Sequence, residues 1–439
     1  MDAITPQPRA AWIAGRAEQG EGTLAVGHPY DGTEVATVAV PGPEQVERAV
    51  TAAGAAFAEL RGTPAHVRAA ALRGVADELT ARTEEFAELL TAECGTPLRW
   101  AEAEVGEAAS ALRAGAATTL RLAGELQRLD SDAAGEGRLA VVRRVPGRPV
   151  LAALDVHGPL GLAARYTAAA LAVGAPVVLA PAARAPLSAL ALGEVLTGAG
   201  LPAGSFSVLP LAGTETLAAD ARLTAVHPPC PGTAAAVVLA DWPDLGEAAA
   251  RIAVAGTRQA GQAPESVRRV VVDAAVADEF VGRLTDAVRG QRTGDPYDTE
   301  VSVGPLPDEP AAQRLEAWLD EATAAGAKVL TGGARRGASV EPVLLTELSP
   351  DAAAWRAAAP GPALAVAVMD SPEQAFAAAA GPSAGVFTRD VEHALRASAA
   401  LGASSVVVGD VPGYHPGSVR AAVGEITAEQ VTVVPGPAW

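Results

Sequence analysis

The sequence predicts an α/β fold: two doubly wound, Rossmann-like units, each built on a mostly parallel sheet, with two short extended pieces outside them. Three observations lead there. Short apolar strands over 150–156, 176–180 and 205–209 alternate with helices that begin at Pro159 and near Ala185. Strands and helices alternating at this spacing form a parallel sheet with crossover helices. A second alternation follows Gly256, with a strand over 268–272, helices over 277–288 and 311–324, and strands near Val329, Val343, Ala365, Val386 and Val406. Outside these, residues 138–145 read as an extended hairpin leaving the globule, and 430–434 as a second short strand rich in β-branched residues.

At 439 residues and 49% hydrophobic content the chain can bury more than one core, so two or three domains are expected. A net charge of −18 argues against a nucleic-acid partner, since a phosphate backbone needs a basic face. Lys328 is the only lysine, and it stands in a helix-to-strand turn, a poor place for Schiff-base chemistry. Two cysteines, Cys94 and Cys230, are too few for a disulfide framework or a zinc cluster, and no metal is expected. The first residues carry neither a basic region nor an apolar one, and no apolar run is long enough to span a bilayer; a cytoplasmic location is the expectation.

Taken in order, residues 29–38 read as a turn and an alternating strand. Three amphipathic helices should start near Pro43, Pro64 and Pro97, the second carrying Val67, Ala70, Ala71, Val75, Leu79, Phe86 and Leu89 at helical spacing. Cys94 falls at a helix end with nothing nearby to lower its pKa, so it reads as structural. The polar run 130–137 before the strand 138–145 makes an extended hairpin. An exposed strand edge invites pairing, so a homodimer or larger assembly is expected.

Several short motifs follow one another in a specific order: Gly174-Ala175-Pro176-Val177, Gly200-Leu201-Pro202-Ala203-Gly204, the loop Ala260-Gly261-Gln262-Ala263, Gly294-Asp295-Pro296 and Val303-Gly304-Pro305-Leu306. In that order they resemble the NAD(P)-dependent aldehyde dehydrogenase superfamily across about the whole chain. The resemblance implies a dinucleotide-binding unit over 1–126 and 148–228, a catalytic unit over 229–422, and an oligomerisation arm over 127–147 and 423–439.

The resemblance also implies a set of working residues, and this chain departs from it at each. The nucleophilic cysteine falls on Pro264, which has neither a nucleophile nor a backbone N–H. The general-base glutamate falls on Pro229, with Cys230 beside it between two prolines. The oxyanion-binding asparagine falls on His157. The ribose ligands fall on Ala180, Ala183 and Ala358, and the glycine-bearing turn expected after Val226 is missing, so no cofactor is expected. The loop that closes the substrate mouth shrinks to 413–417.

What remains is a remodelled polar pocket of His157, Arg165, Tyr166, Arg258 and Glu265. It reads either as a site for a small anionic or polar molecule or as a collapsed tunnel holding an Arg165–Glu265 ion pair. The expectation is a pseudoenzyme with a scaffold or partner-subunit role, as a homo-oligomer or with an active relative. The alternatives are a non-redox lyase, isomerase or cyclase, and an aldehyde dehydrogenase with relocated catalytic groups.

Overall fold

The structure, a computed structural model, describes residues 8–122, 124–227, 234–263, 265–357, 359–413, 415 and 417–435. Its first sheet runs in the order Thr224–Val226, Val150–Ala153, Val177–Ala180, Phe206–Val208, Ala11–Ile13, Arg16–Glu18. The first four strands are parallel and the last two are added antiparallel at one edge. The second sheet runs Lys328–Thr331, Val343–Thr346, Ala363–Met369, Val267–Asp273, Ala234–Val238, Ser383–Phe387, Ser405–Val408. All its pairs are parallel except the first. Both alternations read from the sequence are therefore doubly wound sheets, and the α/β expectation holds.

Helices cover both faces of each sheet. On the second, Leu245–Thr257 and Ala277–Arg289 pack on one face, and Glu309–Ala324 and Pro372–Ala379 on the other. Such sandwiching explains why the central strands are almost continuous valine and alanine rather than alternating. Around the first sheet lie Pro43–Gly62 (α1), Ala65–Ala81 (α2), Thr83–Cys94 (α3), Leu98–Arg121 (α4), Pro159–Val173 (α5) and Leu187–Thr197 (α6). α5 is buried on nearly every side because it lies between the sheet and α4. Gly115 of α4 permits the approach, since a Cβ there would stand 2.8 Å from the Cβ of Ala168.

Two expectations are corrected. The single helix read through Val67 and Leu89 is broken at Arg82, whose φ of −104° and ψ of 27° leave the helical range. Arg82 instead pairs with Glu85 in the first turn of α3, at 2.6 Å, where an acidic side chain suits the helix dipole. The strand read over 150–156 ends at Ala153, and the chain past it turns toward α5. The arm is a third sheet, Thr427–Pro435, Arg138–Pro146 and Gly124–Arg128, with the first two in register over their whole lengths. Among the described residues no helix is long and apolar enough to cross a membrane.

Candidate active site

The centre is built by two loops that face one another from the two sheets. One carries His157 into α5: Gly158 adopts a positive φ of 67°, and Pro159, with no N–H to satisfy, opens the helix. The next two N–H groups, of Leu160 and Gly161, donate to Oε1 of Glu104 at 3.1 and 3.2 Å. The other loop is Arg258–Gly261, between the helix Leu245–Thr257 and the strand Val267–Asp273. Gln259 and Ala260 are both left-handed, at φ 51° and 50°, and Gly261 follows at 69°. Non-glycine residues there are strained by about 1 kcal/mol or more each. The Gln259 side chain holds the turn by donating Nε2 to Oε2 of Glu104 at 3.1 Å.

Glu104 thus joins both loops from α4, only 1% exposed. Burial raises its pKa to about 7, against the opposing pull of the Gly161 N–H and the charge of Arg258. Glu93, 2% exposed on α3, makes the same kind of contact one helix away. It accepts from the N–H groups of Leu187 and Ser188 at 2.5 and 3.1 Å, and burial raises it also to about 7.

Two cavities meet at this centre, and His157 and Gln259 line both. The larger, about 1060 Å³, runs past Trp100, Glu104, Arg165, Arg258, Glu265 and His415. The smaller, about 670 Å³, is lined by His28, Glu93, Cys94, Ala183, Arg184 and Asp308 among others. Burial lowers the pKa of His157, Asp155 works in the opposite direction, and Arg268 adds to the lowering. The imidazole is accordingly neutral at neutral pH and free to accept a proton.

The structure brings His157, Arg165, Arg258 and Glu265 onto one tunnel wall but turns Tyr166 away. Tyr166 is 1% exposed in the helical core, its hydroxyl donating to the carbonyl of His227 at 3.3 Å. Arg258 is neutralised by Glu107 at 2.9 Å and lies over the Trp100 ring. No ion pair joins Arg165 to Glu265 among the described residues; Arg165 instead donates to the Tyr166 hydroxyl at 3.1 Å, and the tunnel is open. Pro264, Pro229, Cys230 and Ala358 lie outside the described residues. Cys94 ends α3 with its thiol directed at the Val156 carbonyl, 3.5 Å away. Burial, then Glu93, Glu104 and Asp155, push that thiol well above its ordinary range, so it is not a thiolate.

Sequence reading missed Glu104, Glu93, Gln259 and Arg268. For Glu104 a signal existed, because it interrupts the apolar face Ala101, Val105, Ala108, Leu112 of α4 at helical spacing.

A pyridine dinucleotide, which the fold implies, fits these residues poorly. Ala180 and Ala183, at and just past the end of the strand Val177–Ala180, offer a ribose only methyl groups. The N-termini of α5 and α6, which could receive a diphosphate, already donate to Glu104 and Glu93.

Residues 16–227 and 215–422 match the Aldehyde dehydrogenase family. The chain is 32% identical over 384 residues to 3-sulfolactaldehyde dehydrogenase of Priestia aryabhattai, covering 82% of this chain and 80% of that one. Aldehyde dehydrogenase 21 from Physcomitrella patens, solved with its reaction product succinate, superposes with a TM-score of 0.91 at 29% identity, over 98% of this chain and 99% of that one. The NADP-dependent glyceraldehyde-3-phosphate dehydrogenase of Bacillus halodurans, solved with NADP, gives 0.87 at 25% identity, over 98% and 100%. All three are named as aldehyde-oxidising enzymes, and this corrects the expectation of a pseudoenzyme, and with it the non-redox lyase, isomerase or cyclase. That expectation leaned on single positions, three of which lie outside the described residues, whereas likeness to the named enzymes extends over 82% to 98% of the chain. The chain belongs to the aldehyde dehydrogenase family.

Proposed function

We propose that this chain oxidises an aldehyde to the corresponding acid, and does so without a thiol at position 264 or a glutamate at position 229. The observation that carries the reading is the open junction of two cavities at His157 and Gln259, in a chain so similar to named aldehyde-oxidising enzymes. With proline at the nucleophile position, attack on the carbonyl carbon falls to water. Addition of water gives the hydrate, RCH(OH)₂; loss of a hydride to an acceptor and of a proton to a base then gives RCOOH. Neutral His157 is the base, placed where both cavities reach it. Glu104, engaged by three donors, holds the two loops in place.

A two-electron acceptor completes the reaction. The NADP complex of the Bacillus halodurans relative names the class to test first. The poor fit of Ala180, Ala183 and the two occupied helix N-termini predicts weak binding by this chain. On the same reading, residues 1–126 and 148–228 form the acceptor side and 229–422 the substrate side, and two copies of the chain pair through the arm of 127–147 and 423–439.

The test is acid formation, followed by NMR, from an aldehyde panel with NAD⁺, NADP⁺ or a redox dye as acceptor. Acid should form with at least one combination, and His157→Ala should lower kcat about 100-fold, the scale of general-base catalysis. Absence of acid with every combination would refute the reading.

A further inference from the structure

When water adds to the carbonyl carbon in the reaction above, negative charge gathers on the aldehyde oxygen, and a hydrogen-bond donor fixed in advance is what stabilises it. His157 is committed as the base, and the two nitrogens of one imidazole face apart, so the same ring does not also cap that oxygen. Among the described residues only one other lines both cavities, and that is Gln259.

The Gln259 amide is held as a fixed donor would be. Its backbone is left-handed, at φ 51° and ψ 42°, and Ala260 after it is left-handed too. Strain of this kind persists where the surroundings hold a functional group in place. The hold comes from Glu104. Its Oε1 takes the N–H groups of Leu160 and Gly161, which leaves Oε2 to accept from Nε2 of Gln259 at 3.1 Å. An ionised carboxylate only accepts, so it selects the nitrogen end of the amide; that end carries two N–H bonds, and Glu104 uses one. Among the described residues the second has no partner. The amide lies against the loop that carries His157: a Cβ built on Gly158 would stand 3.7 Å from Nε2 and 3.9 Å from Oε1 of Gln259.

We infer that Gln259 is a catalytic residue, whose second N–H donates to the oxygen of the bound aldehyde. As the water oxygen bonds to carbon, the carbonyl electron pair moves onto that oxygen and the water proton passes to His157. Gln259 holds the resulting alkoxide and transfers no proton; loss of the hydride to the acceptor then gives the acid. The inference rests on the aldehyde-oxidising reading and adds a residue to its site.

The donor is read by difference infrared spectroscopy on the full chain at pH 8, where Glu104 is mostly ionised. The probe is benzaldehyde with a ¹³C carbonyl, without an acceptor, so that no oxidation intervenes. Its carbonyl band should lie below its position in hexane, as a donor to the oxygen requires. In Gln259→Met, which has the length of glutamine without its donors, the band should return toward the hexane position. With the aldehyde and acceptor that the parent chain uses best, kcat should fall about 100-fold or more in this variant, with KM little changed. Gln259→Glu separates donor from tie: its carboxyl and that of Glu104 share one proton, which keeps the two loops joined but leaves nothing to donate to the substrate. It should melt as the parent chain does, yet lose the band shift and kcat as Gln259→Met does. A parent band at the hexane position, or a shift that both variants keep, overturns the inference; so does parent kcat in Gln259→Glu, which would mark Gln259 as a structural tie alone. Acid formation that neither variant slows sinks the donor and leaves aldehyde oxidation standing. A shifted band that both variants lose, without acid from any aldehyde, supports the donor and sinks the oxidation.

Discussion

Glu93 and Glu104 show how single residues at this centre trade stability for placement. Each carboxyl is buried, and each is raised from an ordinary 4.5 to about 7. The sign follows directly: between those values the unfolded chain has released the proton and the folded chain retains it. The stabilisation is present in full below 4.5 and is lost as pH rises through 7, on the order of 3 kcal/mol for each group. Urea unfolding from pH 5 to 8 should therefore show stability falling across the window. In Glu104→Gln that slope should shrink by about half, since glutamine does not titrate while its carbonyl still accepts from the start of α5. A slope unchanged by the substitution would show that Glu104 is not the titrating group. Such residues were only half legible in sequence. The break in the apolar face of α4 marks Glu104 as unusual, but its partners Leu160, Gly161 and Gln259 come from distant segments.

At the scale of elements, the loop Arg258–Gly261 links sheet to chemistry. Its motif was legible because Ala260-Gly261-Gln262-Ala263 has a recognisable order, but its left-handed run was not, since glutamine and alanine show no preference for positive φ. The neighbours impose it. Gly261 approaches the Gly361 carbonyl so closely that an added Cβ would lie 2.5 Å from that oxygen, at a φ that already disfavours side chains. Gly261→Ala should cost about 2 to 4 kcal/mol in chemical denaturation and abolish acid formation by displacing Gln259. Retained activity with parent stability would mean that the loop tolerates another path. The break between α2 and α3 teaches the same lesson: the apolar spacing runs on past Arg82, but the backbone turns there and Arg82 pairs with Glu85 of the next helix.

The whole molecule adds a question of assembly. In the three-stranded arm, Leu126, Val431 and Val433 are more than half exposed, and among the described residues the outer strands Gly124–Arg128 and Thr427–Pro435 each have one edge unpaired. Edges of this length and composition pair with another copy or aggregate. Light scattering should find the parent chain dimeric or larger, and Val431→Lys with Val433→Lys should shift it toward monomer while circular dichroism stays unchanged. A parent chain that is monomeric at micromolar concentration would rule out the arm as an interface.

Sequence alone determined the α/β class, the two doubly wound sheets, the arm and the likeness to aldehyde dehydrogenases, because the periodicity of buried side chains and the order of turn motifs are local properties of a chain. It also placed His157, Arg165, Arg258 and Glu265 on one site. Only the tertiary structure decided that Tyr166 faces the core, that Arg258 pairs with Glu107, that Glu104 ties two loops together, and that Arg268 is buried without a hydrogen-bond partner among the described residues. Those facts concern which charges meet across the space between two sheets, and no spacing along one strand or helix encodes a contact with another.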